Sequence, residues 1–265
     1  MNRTESLFQY TRGGWHAVPS THGEILLVAD SFHVKDGMAW APERHAKRFV
    51  QSCHTLCGVS PDHASTFWQA AMEHIPQVGV WFPRTELVRH GADFRLRLRL
   101  RRAPPQQTTA RLWRELYHDQ RKQPRHKGID LLHLVSLRES AARYGADEGL
   151  LCTNGGNLLE GLTSRILWWE ENVLCTTSPR QRVFPGITAA LICEIAREKG
   201  IPVTYRLRRP AELDGCETWV VNAFHGIRSA VNWAHAPWRV PEKDSRSIWQ
   251  EALDIMALRH IRTVW

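Results

Sequence analysis

The chain reads as an α/β (α+β) protein in two domains, a smaller N-terminal α/β domain over residues 1–108 and a larger C-terminal domain over 109–265. Three observations predict this. Segments of helical period and segments of strict two-residue alternation occur in the same chain. A proline-rich break, Ala103-Pro104-Pro105-Gln106-Gln107, interrupts them, and Pro-Pro cannot continue a strand ladder. A length of 265 residues leaves room for one large core or two smaller ones.

The elements follow in order. Residues 23–40 read as a short sheet, with the apolar run Ile25-Leu26-Leu27-Val28 and a hairpin turn at Asp36-Gly37. Pro42 opens a helix that runs to Cys57 and stops at Gly58, because proline costs no hydrogen bond in a first turn. Ser60-Pro61-Asp62 starts a second helix, to about Ile75. From Phe94 to Arg101 the chain alternates: Arg95, Arg97, Arg99 and Arg101 share one face, and Phe94, Leu96, Leu98 and Leu100 share the buried one. A helix over Asp130–Tyr144 shows Leu131, Leu134, Leu137 and Ala141 at helical spacing. Short strands at 149–152 and 158–160 flank the turn Thr153-Asn154-Gly155-Gly156, and a hairpin turns at Glu170-Glu171-Asn172. A helix over 187–199 ends at Gly200, followed by a strand over 201–207.

Hydrophobic content of 43% and charged content of 23% are those of an ordinary globular protein. A net charge of +8 suits an anionic ligand or nucleic acid and selects neither. The cysteines Cys53, Cys57, Cys152, Cys175, Cys193 and Cys216 are scattered, as in a reduced cytoplasmic protein. Cys53-His54 and Cys57 form half of a metal pattern with no second pair at zinc spacing, so no metal is expected. Met1–Trp15 holds no apolar core of signal-peptide length, and no run reaches the length of a membrane span, so a cytosolic protein is expected.

Three positions carry chemistry. Lys127, between His126 and Gly128, is an amine able to form a Schiff base if neighbouring cations lower its pKa; alone, it also reads as a solvated lysine in the basic loop Arg121–Arg125. Glu160 lies among Leu158, Leu159 and Leu162, where a carboxylate needs a positive partner: a pyridinium nitrogen, or an arginine such as Arg165. Gly186-Ile187-Thr188 opens an apolar helix whose first N–H groups and macrodipole favour a phosphate. Arg48, on the helix 42–57, can grip phosphate in bidentate fashion, although alone it reads as a surface arginine.

Together these residues resemble the fold-type IV pyridoxal phosphate enzymes, the class IV aminotransferase family, from about Asp30 to Trp233. Lys127, Gly145–Leu151, Asn157-Leu158-Leu159-Glu160 and Pro185-Gly186-Ile187-Thr188 come in the family's order and spacing. The resemblance implies a D-amino-acid aminotransferase-like fold with a mixed, barrel-like sheet in the larger domain, pyridoxal 5′-phosphate as cofactor, and a homodimer. It implies Lys127 as the Schiff-base lysine and proton shuttle and Glu160 as the carboxylate on the ring nitrogen. It implies Arg48, in His45-Ala46-Lys47-Arg48-Phe49, with Gly186, Ile187 and Thr188 as the phosphate site. Thr163 and Ser164 fall where a strand lines the cofactor, and Asn222-Ala223-Phe224 looks like a turn facing cofactor and substrate.

Within the family, Leu132 (where branched-chain aminotransferases carry tyrosine), the lysine-to-glutamate spacing and the Asn222 turn resemble the 4-amino-4-deoxychorismate lyases. Two features depart from them: Ala103-Pro104-Pro105 replaces a glycine-rich Arg-Gly loop, and the segment around Asp30-Ser31-Phe32 lacks the common N-terminal signature. The expected partner is a small amino-group substrate with a carboxylate, for which Arg99 is the candidate handle. Amino-acid transamination is the alternative reaction. A nucleic-acid-binding protein, suggested by the arginine face and twelve tryptophans, is a more distant reading, as is a cofactor binder without activity.

Overall fold

The computed structural model describes residues 5–19, 23–234, 237–241 and 244–259. It separates into two compact units. The first takes the chain up to Pro105, then His126–Ile129, then Ala257 onward; the second takes Gln106–Arg125 and Asp130–Met256.

In the first unit, β1 (Glu5–Thr11), β2 (Gly14–Ala17), β3 (Ile25–Ser31), β7 (Arg84–His90) and β8 (Asp93–Arg101) form an antiparallel sheet in the order β2-β1-β8-β7-β3. A small sheet, β5-β4-β6, joins β4 (Val34–Lys35), β5 (Met38–Ala39) and β6 (Val80–Trp81). The β4–β5 turn is the one expected: Asp36 and Gly37 sit at φ 48° and 76°, the two positive angles such a hairpin demands. Helices α1 (Pro42–Cys57) and α2 (Pro61–His74) begin on proline where the sequence predicts, and α1 ends on Gly58 at φ 65°. Phe32, Phe49, Phe67, Leu87 and Leu98 fill the core between helices and sheet.

The alternation of β8 holds for Leu96, Leu98 and Leu100, which are buried. Phe94 is 48% exposed, at the strand end next to the Gly91 turn, so its assignment to the buried face is corrected. The arginine face is not a bare solvated one either. Arg97 is buried and paired with Glu24, and Arg99 is paired with both Glu86 and Glu5.

In the second unit, eight strands form a mixed sheet: β9 (Thr109–His118), β10 (Glu148–Cys152), β11 (Leu158–Gly161), β12 (Arg165–Glu170), β13 (Val173–Thr176), β14 (Val203–Tyr205), β15 (Thr218–Asn222) and β16 (Gly226–Ala234). Their order is β11-β10-β9-β16-β15-β12-β13-β14, with parallel pairs at β9–β10, β9–β16 and β13–β14. The helices are α3 (Leu131–Ala142), α4 (Ile187–Glu198) and α5 (Arg246–Arg259), the last crossing the boundary between units. α4 shows Ile187, Leu191, Ile192 and Ile195 buried, and Gly200 beyond it takes φ 71°. The strand expected over 201–207 shrinks to β14, because only Val203–Tyr205 finds a partner, in β13. The hairpin β1–β2, the strands β6, β7, β9, β15 and β16, and α5 have no counterpart among the elements the sequence predicts. Among the described residues no helix is long and apolar enough to cross a membrane.

Candidate active site

In the first unit, Lys127 sits on a short segment that meets the middle of β3. Ala29 N–H donates to the Lys127 carbonyl at 2.7 Å, and Val28 bridges to Gly128. Gly128 is required there because a Cβ would overlap the Leu27 carbonyl. Lys127 Nζ donates to Ser31 Oγ at 3.0 Å. Burial, reinforced by Arg84, Arg48 and Arg101, pushes the amine down to about 7 although Asp30 pulls the other way. The solvated-loop alternative therefore does not describe Lys127: near neutrality a large share of it is an uncharged amine, the form that acts as nucleophile or base.

Arg48 is held by Asp30. Its Nε donates to Oδ2 at 2.7 Å and its Nη2 to Oδ1 at 2.8 Å, and His45 Nδ1 lies 2.6 Å from Oδ1. Burial works to raise Asp30, but Arg48 and His45 outweigh it and hold the carboxyl far below its ordinary range. The i, i+3 spacing of His45 and Arg48 on α1 puts both over one aspartate of β3. Arg48 is thus a built-in cation and not a loose surface arginine.

Arg99, the expected carboxylate handle, donates through Nε to Glu86 Oε1 at 2.7 Å and also pairs with Glu5. Two carboxylates already occupy it. Arg101, two residues on and on the same face, differs. Its Nε donates to the Phe82 carbonyl at 3.1 Å, its guanidinium lies 5.1 Å from the Phe82 ring, and no carboxylate pairs with it among the described residues. Burial and the nearby Arg84 press its pKa down to about 10.

In the second unit, Glu160 is 3% exposed on β11. Its Oε1 accepts from Arg121 Nη1 at 2.5 Å and from Phe184 N–H at 2.8 Å. Its Oε2 faces Arg165 Nη1 at 3.7 Å and accepts no hydrogen bond among the described residues. Burial pushes the carboxyl up from its ordinary range, while Arg165 and Arg121 pull it back toward the charged form. Arg121 opens the basic loop Arg121–Arg125 of the sequence, yet it is not a solvated residue. It is 5% exposed and pinned by Asp119, Glu160 and the Arg182 carbonyl.

Gly186 precedes α4 and lies against Arg165, whose Cγ would stand 2.7 Å from any Cβ there. No side chain caps the α4 N-terminus, so the first N–H groups of Ile187 and Thr188 keep their donors. Thr163 Oγ1 and Ser164 Oγ donate to Glu148 Oε2 at 2.9 and 2.5 Å, with Arg228 behind that carboxylate at 3.7 Å. Their hydroxyl protons serve this fully buried glutamate. Asn222 Oδ1 accepts from Phe224 N–H at 3.0 Å and His225 N–H at 2.8 Å, which folds Asn222, Ala223 and Phe224 into the β15–β16 turn.

The donor set fits pyridoxal phosphate on chemical grounds. Glu160 offers a carboxylate oxygen with its lone pairs unused, as a pyridinium N–H requires, and α4 offers an uncapped positive helix end for a phosphate. Sequence reasoning missed the groups that tune these handles: Ser31, Asp30, His45, Arg121 and Glu148. Asp30 and Glu148 carried one usable signal, a charged residue close to apolar neighbours that has to be met by an opposite charge if buried, whereas Arg121, between Gln120 and Lys122, carried none.

The amino-transferase class IV family model matches residues 27–233. No curated protein matches the chain. Among solved structures, a hypothetical aminotransferase from Mycobacterium tuberculosis is 20% identical, with 96% of this chain and 99% of that one covered and a TM-score of 0.81. A branched-chain amino acid aminotransferase of Escherichia coli is 14% identical, with 99% and 97% covered and a TM-score of 0.78. A putative branched-chain aminotransferase from Thermotoga maritima is 16% identical, with 95% and 96% covered and a TM-score of 0.75. At these identities the structures establish the fold, and the family model establishes the membership: the chain belongs to the class IV aminotransferases and is a pyridoxal 5′-phosphate-dependent enzyme.

Proposed function

We propose that the enzyme is a lyase of the 4-amino-4-deoxychorismate type, releasing pyruvate and leaving 4-aminobenzoate for folate synthesis. The supporting observation is the pair Lys127 Nζ and Ser31 Oγ, 3.0 Å apart, with the amine pressed down to about 7. Elimination needs two proton transfers: one off the amine-bearing carbon, and one onto the departing enolpyruvate as its C–O bond breaks. A neutral amine beside a hydroxyl supplies a base and a neighbouring proton relay. Bound pyridoxal phosphate supplies the electron sink.

In this reading Lys127 takes and returns the proton. Glu160 Oε2 would receive the ring N–H, and Arg165 and Arg121 pull the carboxyl toward its charged form against the burial that raises it. By the family resemblance, Gly186, Ile187 and Thr188 would bind the phosphate through the α4 start and Arg48 would add its charge. The Asn222–Phe224 turn, with Thr163 and Ser164 fixed on Glu148, shapes the substrate side. The substrate carboxylate goes to Arg101 in place of Arg99, since Arg99 already has two carboxylates. A homodimer follows the family pattern, and six free cysteines are in keeping with a reduced cytoplasm.

Amino-acid transamination is the second reading. It is favoured by the branched-chain aminotransferases among similar folds and needs only the single shuttle Lys127. Purified holoenzyme given aminodeoxychorismate separates the two. Pyruvate formed without any keto-acid acceptor supports the lyase; turnover of an amino acid that stops when the keto acid is withheld, with no pyruvate from aminodeoxychorismate, overturns it.

A further inference from the structure

A cavity of about 800 Å³ opens within the second unit, within the size range of small-molecule sites. It lies away from Glu160 and from the first turn of α4. Arg165, which faces Glu160, begins β12, whereas Trp169 near the other end of the strand lines the cavity, roughly 13 Å along at the usual rise. Ile187 begins α4, whereas Ile201, beyond its last turn, lines the cavity, and twelve helical residues span about 18 Å.

Its lining is aromatic and acidic. Trp169 and Trp249 contribute indoles whose ring centroids are 5.4 Å apart, backed by Trp219. Arg208 also lines the cavity, but its Nε and Nη2 donate to Glu170, at 3.0 and 3.1 Å, and its Nη1 lies 3.9 Å from Glu212. Glu217 is different. It is 9% exposed, and its Oε1 accepts from Trp219 Nε1 at 3.0 Å and from Ser245 N and Oγ at 2.8 Å each. Its Oε2 accepts from no described residue. Trp169 Nε1 is buried with no hydrogen-bond partner among the described residues. A buried carboxylate with an unused oxygen asks for a cationic donor, and paired indoles accept the apolar body and the charge of an organic cation.

We propose that this cavity binds a small organic ammonium compound, with its charge on Glu217 and its apolar part against Trp169 and Trp249. The site is separate from the handles on the cofactor. A second polar group on the ligand, an acceptor, would satisfy Trp169 Nε1.

The test uses N,N-dimethyl-2-phenylethylamine, whose tertiary nitrogen cannot condense with an aldehyde, and 2-phenylethanol as its neutral counterpart. Both are titrated into holoenzyme by calorimetry, with the cofactor absorption followed in parallel. The amine is expected to saturate with a Kd near or below ~1 mM and to bind at least ~10-fold more tightly than the alcohol. The cofactor band stays unchanged. Glu217→Gln is expected to weaken the amine by about 10-fold and leave the alcohol unaffected. Trp169→Phe, which keeps an aromatic wall, retains the preference for amine over alcohol. No saturation up to ~10 mM, or equal binding of amine and alcohol by the unaltered protein, overturns the proposal whether or not the Glu217 variant folds.

Discussion

Lys127 and Glu160 sit among arginines, yet the arginines do opposite things. Around Lys127, Arg84, Arg48 and Arg101 add to burial and drive the amine toward neutrality. Around Glu160, Arg165 and Arg121 oppose burial and favour the anion. The contacts differ as well. Glu160 is gripped directly, by Arg121 at 2.5 Å and Phe184 N–H at 2.8 Å. Lys127 Nζ donates to one hydroxyl, and its arginines act through the field. A group that carries protons has to stay free to move and be tuned from a distance, whereas a group that fixes a ring nitrogen is best held rigidly.

The largest expected effect breaks the mobile side of that contrast. Lys127→Ala should lower turnover by about 10³-fold or more, the scale of a lost acid–base group that is also the covalent anchor. Cofactor added to this variant should give no borohydride-fixed adduct by mass spectrometry. A fixed adduct in the variant, at the wild-type level, would remove Lys127 from its role.

Glu160→Gln tests the gripped side. The ring nitrogen loses its charged acceptor, and Arg121 and Arg165 lose a buried counter-ion, so two losses appear together. Turnover should fall about 100-fold, on the scale of a lost electrostatic contact in a closed site. Stability to urea should fall by about 3 kcal/mol, as for a broken buried pair. Asp30→Asn, which strips Arg48 and His45 of their shared carboxylate, should cost a similar amount of stability. Loss of turnover in Glu160→Gln with unaltered stability would show that the arginines do not depend on Glu160.

A smaller effect separates the two arginines of β8. Arg101→Met should raise KM for the carboxylate substrate by about 10-fold to 100-fold with kcat little changed, since a charge-assisted contact is worth about 1.5–3 kcal/mol. Arg99→Met should leave KM nearly unchanged and lower the melting temperature, because Glu86 and Glu5 lose their partner. Reversal of that pattern in steady-state kinetics returns the substrate handle to Arg99. Ser31→Ala should lower kcat by roughly 10-fold and spare KM, the mark of a relay present only during proton transfer.

What was legible in the chain was local. Pro42 and Gly58 bound α1, Asp36-Gly37 turns β4 into β5, and the leucines of β8 face inward, each a rule that acts over a few residues. The candidate handles Lys127, Glu160 and Thr188 were visible because a family spacing joins them. Their partners were not. Ser31 reaches Lys127 and Arg121 reaches Glu160 across stretches of chain that carry no periodic signal, so nothing in the local pattern distinguishes Arg121 from its exposed neighbour Lys122. The same holds for Arg99 and Arg101: alternation puts them on one face, and only the pairing of β8 with β1 and β7 brings Glu5 and Glu86 to the first of them.

A dependence of stability on pH isolates the tuning of Lys127. Its folded pKa, about 7, lies below the 10.5 of the free side chain. Between these values the unfolded chain binds more protons than the folded one, so stability rises with pH across the window. Below about 7 both states are protonated, and the full cost of holding an ammonium beside Arg84, Arg48 and Arg101 is present. Lys127→Met removes that cost while keeping the length of the side chain. In cofactor-free protein the variant should be more stable than the parent at pH 6, with the advantage shrinking toward pH 10 by at most ~1.4 kcal/mol per unit. Urea titrations of both proteins at the two pH values measure this directly. An advantage that does not shrink would mean that the amine keeps its ordinary pKa, and Lys127 would then have to be activated by the cofactor alone.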